Sequence, residues 1–389
     1  MIRNPPMAFI LYNTTLLAAL YTVICLLFTF GLRRLREGRN RVNYSVSVIV
    51  AARNEEETIG ALLKDLAHQT YPPEKVEIII ADDGSSDLTE SVVRGYAARD
   101  DRIRLLRIKS VPRNYSPKKY ALSRAVARSS GEIILATDAD CRLGSRWIET
   151  MISYFTPETG FVIGFSQFGS RDEQSGLFAR LQAVDFLLLM AAAAGACQLG
   201  YPLAASGQNL AFRRSAFETV GGYSRIAHRV SGDDTLLLQL IRRSGAYRIR
   251  FAGSKAGFVS SRPQRHLRGL LNQRRRWASN GSYQIFLNLP FFAYLLVVYL
   301  LHFGLLSGLL LTAIVAAPLT PWLLPLAAKM SAELLVAVTA SEAFGRRDLL
   351  PLLPVWSLLQ LPYIVLVGLL GSFGKFSWKE RHHTAEIRP

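Results

Sequence analysis

The sequence is poor in cysteine and in charged residues, and each shortage excludes a class of protein. The three cysteines, Cys25, Cys141 and Cys197, lie far apart and form no CxxC pair, so neither a zinc knuckle nor a disulfide scaffold is expected. They fit reduced thiols in a protein that faces the cytosol. Charged residues make up only 19% of the 389-residue chain, against about a quarter in ordinary soluble domains. This shortage predicts that part of the chain lies in lipid.

Acidic residues are also scarce relative to basic ones. The chain has 46 Lys and Arg against 29 Asp and Glu, which gives a formal net charge of +17. That excess alone would suit a nucleic-acid-binding protein. The sequence, however, has no basic face interleaved with aromatic residues and no helix-turn-helix pattern, and much of the excess flanks apolar segments. We therefore expect no nucleic-acid partner, and because half of the residues are apolar the chain is not disordered.

The first long apolar block runs from Met7 to Leu32 without a charged residue and is long enough to span a hydrocarbon core about 30 Å thick. A cleavable signal peptide is disfavoured because the apolar core is too long and no small-x-small cleavage site precedes Arg33. Five arginines follow the block, opposed only by Glu37: Arg33, Arg34, Arg36, Arg39 and Arg41. This positive charge predicts that the side of the membrane after the block is cytoplasmic.

A second apolar block begins near Leu289 and carries no charged residue as far as Ala328. It is too long for one helix, and three prolines between residues 318 and 325 mark a break. We predict three membrane spans in this part of the chain: 290–314, 320–340 and 350–373. With the N-terminal span they make about four transmembrane helices. A further apolar stretch, Phe186 to Cys197, is short and is interpreted as a buried or interfacial helix.

These blocks predict an integral membrane protein with three regions. Residues 1–41 form an N-terminal transmembrane helix and a basic juxtamembrane segment, 42–285 a soluble domain with interfacial helices, and 286–389 a C-terminal membrane region with a short basic tail. We expect membrane lipids as partners, a bacterial-type plasma (inner) membrane as the location, and the soluble domain in the cytoplasm. A homo-oligomer is compatible with the sequence.

The soluble region alternates between strand-like and helical patterns. Four short β-branched runs are typical of strands: Val46–Ala52, Val76–Ala81, Ile103–Ile108 and Ile133–Thr137. Helical patterns lie between them, including an apolar stripe at Ile59, Leu62, Leu63 and Leu66, and the segments Leu88–Ala98 and Lys119–Arg128. This alternation predicts an α/β fold with a parallel, doubly wound sheet, which binds ligands at the carboxyl ends of its strands.

Acidic pairs follow two of the predicted strands, and a third pair comes later. They are Asp82-Asp83, Asp138-Ala139-Asp140 and Asp233-Asp234. Each alone also fits a solvated turn, because Asp and Gly favour turns. The position of the first two at carboxyl ends of strands suits a nucleotide site, where an Asp-x-Asp can share a divalent cation with a diphosphate. A separate carboxylate could then act as a general base.

A basic segment, Arg262 to Arg276, precedes the second apolar block and contains six arginines and no acid. One interpretation is a juxtamembrane helix that touches anionic headgroups. The other is a cationic clamp for a diphosphate, with Trp277 offering a face for a sugar ring. Lys118, which opens a helix after Pro117, is a weaker phosphate candidate.

Several motifs occur in an order that resembles the membrane-bound family 2 glycosyltransferases. They are VIVAARNEE (48–56), DDGSSD (82–87), PKKYAL (117–122), TDAD (137–140), SGQNLAFRRSAF (206–217), SGDD (231–234) and QRRRW (273–277). The family has a GT-A fold, a Rossmann-like and mostly parallel sheet, and includes cellulose, hyaluronan and poly-N-acetylglucosamine synthases and ceramide glucosyltransferase. The resemblance covers about residues 44–290 and the flanking spans.

The resemblance implies a role for each matching residue. Those implied to bind the donor are Arg53, Glu55, Asp82 and Asp83 at the nucleobase, Lys118 and Asp138 near the nucleotide, and Gln273, Arg276 and Trp277 at the diphosphate and the acceptor border. Asp140 would bind a divalent cation, Mg²⁺ or Mn²⁺, and Asp234 would be the catalytic base. We expect burial or the neighbouring Asp233 to raise the pKa of Asp234, since an ordinary carboxylate is a weak base.

The expected reaction is an inverting transfer of a sugar from a nucleotide-diphosphate sugar, with UDP as the family's usual nucleotide. A membrane lipid or lipid-linked acceptor is favoured, because few polar residues between Leu289 and Ala340 could line a wet channel. The alternative is a processive polysaccharide synthase with a glycan acceptor. The sequence has no clear counterpart of the cellulose synthase gating loop between Phe251 and Arg262, and Ala51 replaces the family's usual proline. A non-catalytic scaffold is disfavoured because the acidic positions that the chemistry requires are present.

Overall fold

A computed structural model describes residues 5–169, 176–373, 375–378 and 381–384, with side chains described as far as residue 371. The chain divides into two compact units. The sheet unit comprises segments 34–174 and 196–263, and the helical unit comprises segments 1–33, 175–195 and 264–389.

The helices and strands are numbered in chain order. The helices are α1 (Pro5–Leu32), α2 (Ile59–Ala67), α3 (Thr89–Ala97), α4 (Pro117–Arg128), α5 (Trp147–Ile152), α6 (Leu177–Gln198), α7 (Arg214–Thr219), α8 (Thr235–Ser244), α9 (Leu267–Ala278), α10 (Gln284–Leu287), α11 (Leu289–Ile314), α12 (Thr320–Phe344) and α13 (Leu353–Phe373). The strands are β1 (Val46–Ala52), β2 (Val76–Asp82), β3 (Ile103–Arg107), β4 (Ile133–Ala136), β5 (Arg142–Leu143), β6 (Thr159–Gly164), β7 (Ser166–Phe168), β8 (Leu210–Arg213), β9 (Arg248–Ala252), β10 (Val259–Ser261), β11 (Lys375–Trp378) and β12 (Arg381–Thr384).

The sheet unit is built on a seven-stranded sheet of order β3-β2-β1-β4-β8-β6-β9. The first four strands in this order run parallel, as the sequence predicts. Strand β8 runs antiparallel to both of its neighbours, while β6 and β9 pair in parallel. A smaller sheet of order β5-β10-β7 completes the unit. The mostly parallel α/β architecture is therefore confirmed.

The central strands of the sheet unit form because their sequences are almost continuously apolar. Six of the seven residues of β1 and six of the seven of β2 are buried, as is usual for parallel strands covered on both faces. The predicted apolar stripe of α2 is fully buried in the same core: Ile59, Leu62, Leu63 and Leu66. Burying one such side chain contributes about 1.5–3 kcal/mol to the free energy of unfolding, so apolar packing stabilises the sheet.

The parallel register brings the loops that follow three strands to one edge of the sheet. In β1 and β2, Ala52 pairs with Asp82, and in β1 and β4, Ile49 pairs with Ala136. The loops that follow β1, β2 and β4 therefore leave the sheet at the same carboxyl edge, which is where parallel sheets bind ligands.

The helical unit contains the long apolar helices. Five helical segments in the described residues are long and apolar enough to cross a membrane: Pro5–Leu32, Leu177–Gln198, Leu289–Ile314, Thr320–Phe344 and Arg347–Gly371. Four of them match the predicted spans. The fifth, α6, is longer than the 12-residue stretch recognised in the sequence because the helix continues through Arg180 and Asp185. Its interpretation as an interfacial helix stays a prediction.

Five polar residues of the apolar helices form one buried network. The Lys329 ammonium donates to the carboxylate of Glu333, to the Ser357 carbonyl oxygen and to the Gln360 side chain, at 2.9 Å each. Glu333 also accepts a hydrogen bond from the Tyr21 hydroxyl, at 3.2 Å. Since Tyr21 lies on α1, Lys329 and Glu333 on α12, and Ser357 and Gln360 on α13, the network links three helices.

Candidate active site

The first acidic pair is fixed against the end of β1. Asp82 and Asp83 are both buried, and the backbone N–H of Asp83 donates to the Ala52 carbonyl oxygen at 2.9 Å. The Arg53 guanidinium donates to the Asp83 carbonyl oxygen at 2.7 Å. Three of the residues predicted to bind the nucleobase, Arg53, Asp82 and Asp83, are thus brought together.

The loop after Arg53 is held by the loop after β2. The Asn54 N–H donates to the Ser85 hydroxyl at 3.0 Å, and the Glu55 N–H donates to the Thr89 hydroxyl at 2.7 Å. Asn54 adopts a left-handed backbone conformation with φ 51°, which asparagine tolerates better than most residues. These bonds set Glu55 beside the same turn as Asp82.

The Asp-x-Asp motif follows β4 at the same carboxyl edge. Asp138 and Asp140 are half-buried, and the Lys118 ammonium lies 2.8 Å from a carboxylate oxygen of Asp138. No group of three or more His, Cys, Asp and Glu side chains is arranged to hold a metal ion within the described residues. A cation at Asp140, the residue predicted to bind it, would therefore take its remaining ligands largely from substrate phosphates and water, which is the usual mode for Mg²⁺.

The third acidic pair joins the second through the same lysine. The Lys118 ammonium lies 2.9 Å from the Asp233 carboxylate, so it bridges Asp138 and Asp233. The next residue, Asp234, is the N-cap of α8, where its side chain accepts a hydrogen bond from the Thr235 N–H. Its other carboxylate oxygen accepts from the Gly207 N–H at 2.9 Å. Asp233 and Asp234 therefore point to different partners.

The electrostatics of this cluster separate the two neighbouring aspartates. Burial and the adjacent Asp233 carboxylate raise the pKa of Asp234 to about 6, which confirms the expected direction. Burial would also raise the pKa of Asp233, but Lys118 and Lys119 outweigh it and lower that pKa. For Lys118, burial opposes the charged form, yet Asp138 and Asp233 prevail and raise the pKa. One aspartate is thus held ionised, and the other titrates near neutrality.

Two residues of this cluster were not singled out from the sequence. A Cβ on Gly207 would lie 3.2 Å from the Asp233 carboxylate and 3.4 Å from the Lys118 ammonium, so a side chain there would crowd the cluster. Lys119, the neighbour of Lys118, is fully buried. Both residues belong to motifs that were recognised, but only the folded contacts reveal their positions.

The QRRRW motif lies on α9 and is described within the helical unit. Its second residue, Arg274, is buried and pairs with Asp185 of α6 at 2.7 Å, and its guanidinium lies 4.2 Å from the centre of the Trp277 ring. Arg274 also donates to the Gln273 side chain at 3.1 Å. Arg274, which had no predicted role, thus contacts both Gln273 and Trp277, while Arg276 lies on the same helix.

The sheet unit has the GT-A fold, a mostly parallel sheet with acidic residues at its carboxyl edge. The structure is similar to a mannosyltransferase from Pyrobaculum calidifontis solved with GDP-mannose and Mn²⁺, with a TM-score of 0.60 and 19% identity, over 93% of this chain and 98% of that one. At this identity the likeness shows the fold alone. Residues 47–221 match the family described as Glycosyl transferase family 2, so the chain carries a family 2 glycosyltransferase domain.

Two curated relatives match the same region. The chain is 29% identical to a probable glycosyltransferase, YdaM, of Bacillus subtilis, over 62% of this chain and 56% of the relative. It is 26% identical to a beta-monoglucosyldiacylglycerol synthase of Trichormus variabilis, over 62% of this chain and 50% of the relative. The chain therefore spans about half the length of these relatives.

Proposed function

We propose that this family 2 glycosyltransferase moves a sugar from a UDP-sugar to a hydroxyl group of a membrane lipid or lipid-linked acceptor, with inversion at the anomeric carbon. The observation that carries the proposal is the Asp234 carboxylate, whose pKa is raised to about 6 beside a lysine-bridged pair of aspartates. A base is most effective when its pKa lies near the working pH.

In the proposed step, Asp234 takes the proton of the acceptor hydroxyl while that oxygen attacks the anomeric carbon. The bond between this carbon and the diphosphate oxygen breaks, and the nucleoside diphosphate leaves with the bonding electrons. The Gly207 N–H bond at 2.9 Å and the N-cap bond to Thr235 orient the carboxylate. Orientation of this kind is a major source of rate enhancement.

The donor is assigned to the carboxyl edge of the sheet. Arg53, Glu55, Asp82 and Asp83 surround the nucleobase in this proposal, and Lys118 and Asp138 lie near the nucleotide. Asp140 would hold a Mg²⁺ or Mn²⁺ ion, which would supply positive charge to offset that of the leaving diphosphate. The sequence motif supports a further role at the diphosphate and at the border of the acceptor site, which we propose for Gln273, Arg276 and Trp277.

The acceptor is proposed to be a lipid for two reasons. The buried side chains of Lys329, Glu333 and Gln360 bond to one another, which leaves them poorly suited to line a wet channel. The Trichormus relative is named as a synthase of a glycolipid. We further propose that the protein lies in a bacterial plasma membrane with its sheet unit in the cytoplasm.

The test is turnover by the 389-residue chain in lipid nanodiscs, with a panel of UDP- and GDP-sugars and a bacterial lipid extract. We expect a glycolipid carrying one sugar, formed faster with Mn²⁺ or Mg²⁺ than with EDTA. A long polymer would instead identify a polysaccharide synthase. Donor that is never consumed, or is only hydrolysed, would contradict transfer. Asp234→Asn is the test variant, and Asp101→Asn, at an exposed turn, is its matched control.

A further inference from the structure

Lys119 holds the backbone that leads to the proposed base. This residue lies in the first turn of α4 and its side chain is 0% exposed. Its ammonium donates to two carbonyl oxygens of the loop before α8, those of Arg229 and Ser231, the latter at 2.8 Å. Ser231, which supplies the second of these carbonyl oxygens, lies only three residues before Asp234 in the chain.

The same end of α4 makes two further bonds to this loop. The Ser116 N–H donates to the Ala227 carbonyl oxygen at 2.6 Å, and the Ser116 hydroxyl donates to the Val230 carbonyl oxygen at 3.3 Å. Ser116 precedes Pro117, the first residue of the helix, where proline favours helix initiation. Four carbonyl groups between residues 227 and 231 thus take their hydrogen bonds from one helix end.

The two adjacent lysines have different partners. Lys118 bridges carboxylates, whereas the partners of Lys119 are neutral carbonyl groups. An ammonium buried without a carboxylate in direct contact is costly, so its position calls for an explanation beyond packing. Burial lowers the pKa of Lys119 to about 7, against the attraction of Asp233 and Asp234. The other charged groups that act on it, Arg229 and Lys118, favour its neutral form.

We propose that Lys119 is a positioning residue that fixes the loop of residues 229–231 and, through it, the Asp234 carboxylate. The proposal rests on the function proposed for Asp234. In this arrangement the loop cannot shift away from α4 without leaving two carbonyl groups and an ammonium without their bonds. Loss of such bonds in a buried place is strongly unfavourable, which gives the base one orientation before the acceptor arrives.

The experiment compares Lys119→Met, which keeps the length of the side chain and removes its donors, with the exposed control Lys109→Met. We expect kcat of Lys119→Met to fall about 10- to 100-fold, since a displacement of about 1 Å can cost that much. The KM for the donor should change less than about twofold. The acid limb of the kcat profile should move to higher pH by up to about one unit, because a nearby cation lowers the pKa of a carboxylate.

Lys119→Gln, which keeps a donor for one carbonyl, should lie between wild type and Lys119→Met, and it carries the same test if Lys119→Met does not fold. Donor binding and thermal melting check the fold of each variant. A folded Lys119 variant with unchanged kcat and pH profile would overturn the inference. If Asp234→Asn is also fully active, the proposed function itself fails. If Asp234→Asn is inactive, only the role of Lys119 is rejected.

Discussion

Both units of the molecule hold a lysine against carboxylates, but in opposite surroundings. In the helical unit, the ammonium of Lys329 lies 2.8 Å from Glu333, and the two side chains are 0% and 2% exposed. In the sheet unit, the ammonium of Lys118 lies 2.8 Å from Asp138 and 2.9 Å from Asp233, and the Asp138 side chain is 30% exposed. The distances are alike, but Lys118 lies between two carboxylates and its cluster is more open to water.

That difference fits a structural role for the Lys329 pair and the proposed chemical role for the Lys118 cluster. Around Glu333, the hydroxyls of Tyr21 and Ser357 complete the hydrogen bonds, so the network is closed and ties helices together. Around Asp138, the partly open cluster leaves room for an arriving ligand to compete for the same charges. A buried pair costs much to break, whereas a cluster at the edge of a sheet can exchange partners.

The largest effect should come from the open cluster. Asp234→Asn removes the proposed base and should lower kcat roughly 10²- to 10⁴-fold, the usual contribution of general base catalysis. Donor affinity should stay close to that of wild type, because the amide keeps the size of the side chain. Turnover and calorimetric donor binding measure the two quantities. Wild-type turnover in this variant would show that the open cluster has no chemical role.

Substitutions in the closed network around Lys329 should lower the free energy of unfolding rather than kcat. Lys329→Met leaves Glu333 as an uncompensated buried charge, which typically costs about 3–5 kcal/mol. Adding Glu333→Gln should recover much of the loss, since glutamine still accepts bonds from the hydroxyls. Unfolding in detergent measures these values against Leu334→Met, an exposed control on the same helix. A double variant as unstable as Lys329→Met alone would contradict the interpretation of Lys329 and Glu333 as a closed structural pair.

The acidity of the base gives a smaller, graded effect. With a pKa of about 6, Asp234 is ionised above that pH and protonated below it. The base form is needed, so kcat should rise with pH through about 6 and fall to roughly a tenth at pH 5. A pH profile at saturating donor measures it. A profile that is flat between pH 5 and pH 8 would contradict the assignment of Asp234.

The smallest effect should come from an ion pair in open water. Arg248 and Glu158 lie 2.9 Å apart with side chains 68% and 64% exposed. Glu158→Gln should change the free energy of unfolding by less than about 1 kcal/mol, because exposed pairs are screened. Thermal melting in low and high salt measures this change. A loss of stability comparable to that of Lys329→Met would mean that solvent exposure does not govern how much these ion pairs contribute to stability.

The sequence predicts the sheet unit better than the helical unit, for a physical reason. Strand β1 and the buried stripe of α2 follow from local periodicity, and the acidic pairs fall where parallel strands end. The burial of Lys119 and the contact of Gly207 with Asp234 depend on how α4 and the loops meet after folding. No local pattern encodes such contacts, and a lysine after a proline is ordinarily a surface residue.

The contacts within the helical unit are even harder to predict from the sequence. The apolar blocks locate α1, α11, α12 and α13, yet composition alone cannot tell which face of each helix turns inward. The pairing of Lys329 with Gln360 depends on that rotation, and the pairing of Arg274 with Asp185 joins segments 89 residues apart. Helix α6 is longer than its apolar stretch because Arg180 and Asp185 interrupt the apolar run without ending the helix.

The hydrogen bond between Tyr21 and Glu333 also has a consequence for synthesis, because its partners are 312 residues apart. At about 5–20 residues per second, Glu333 emerges from the ribosome roughly 15–60 s after Tyr21. During that interval Tyr21 lacks this acceptor, while the sheet unit is translated. The bond between α1 and α12 therefore forms only after the sheet unit has been translated, and the bonds of Lys329 to Ser357 and Gln360 on α13 form later still.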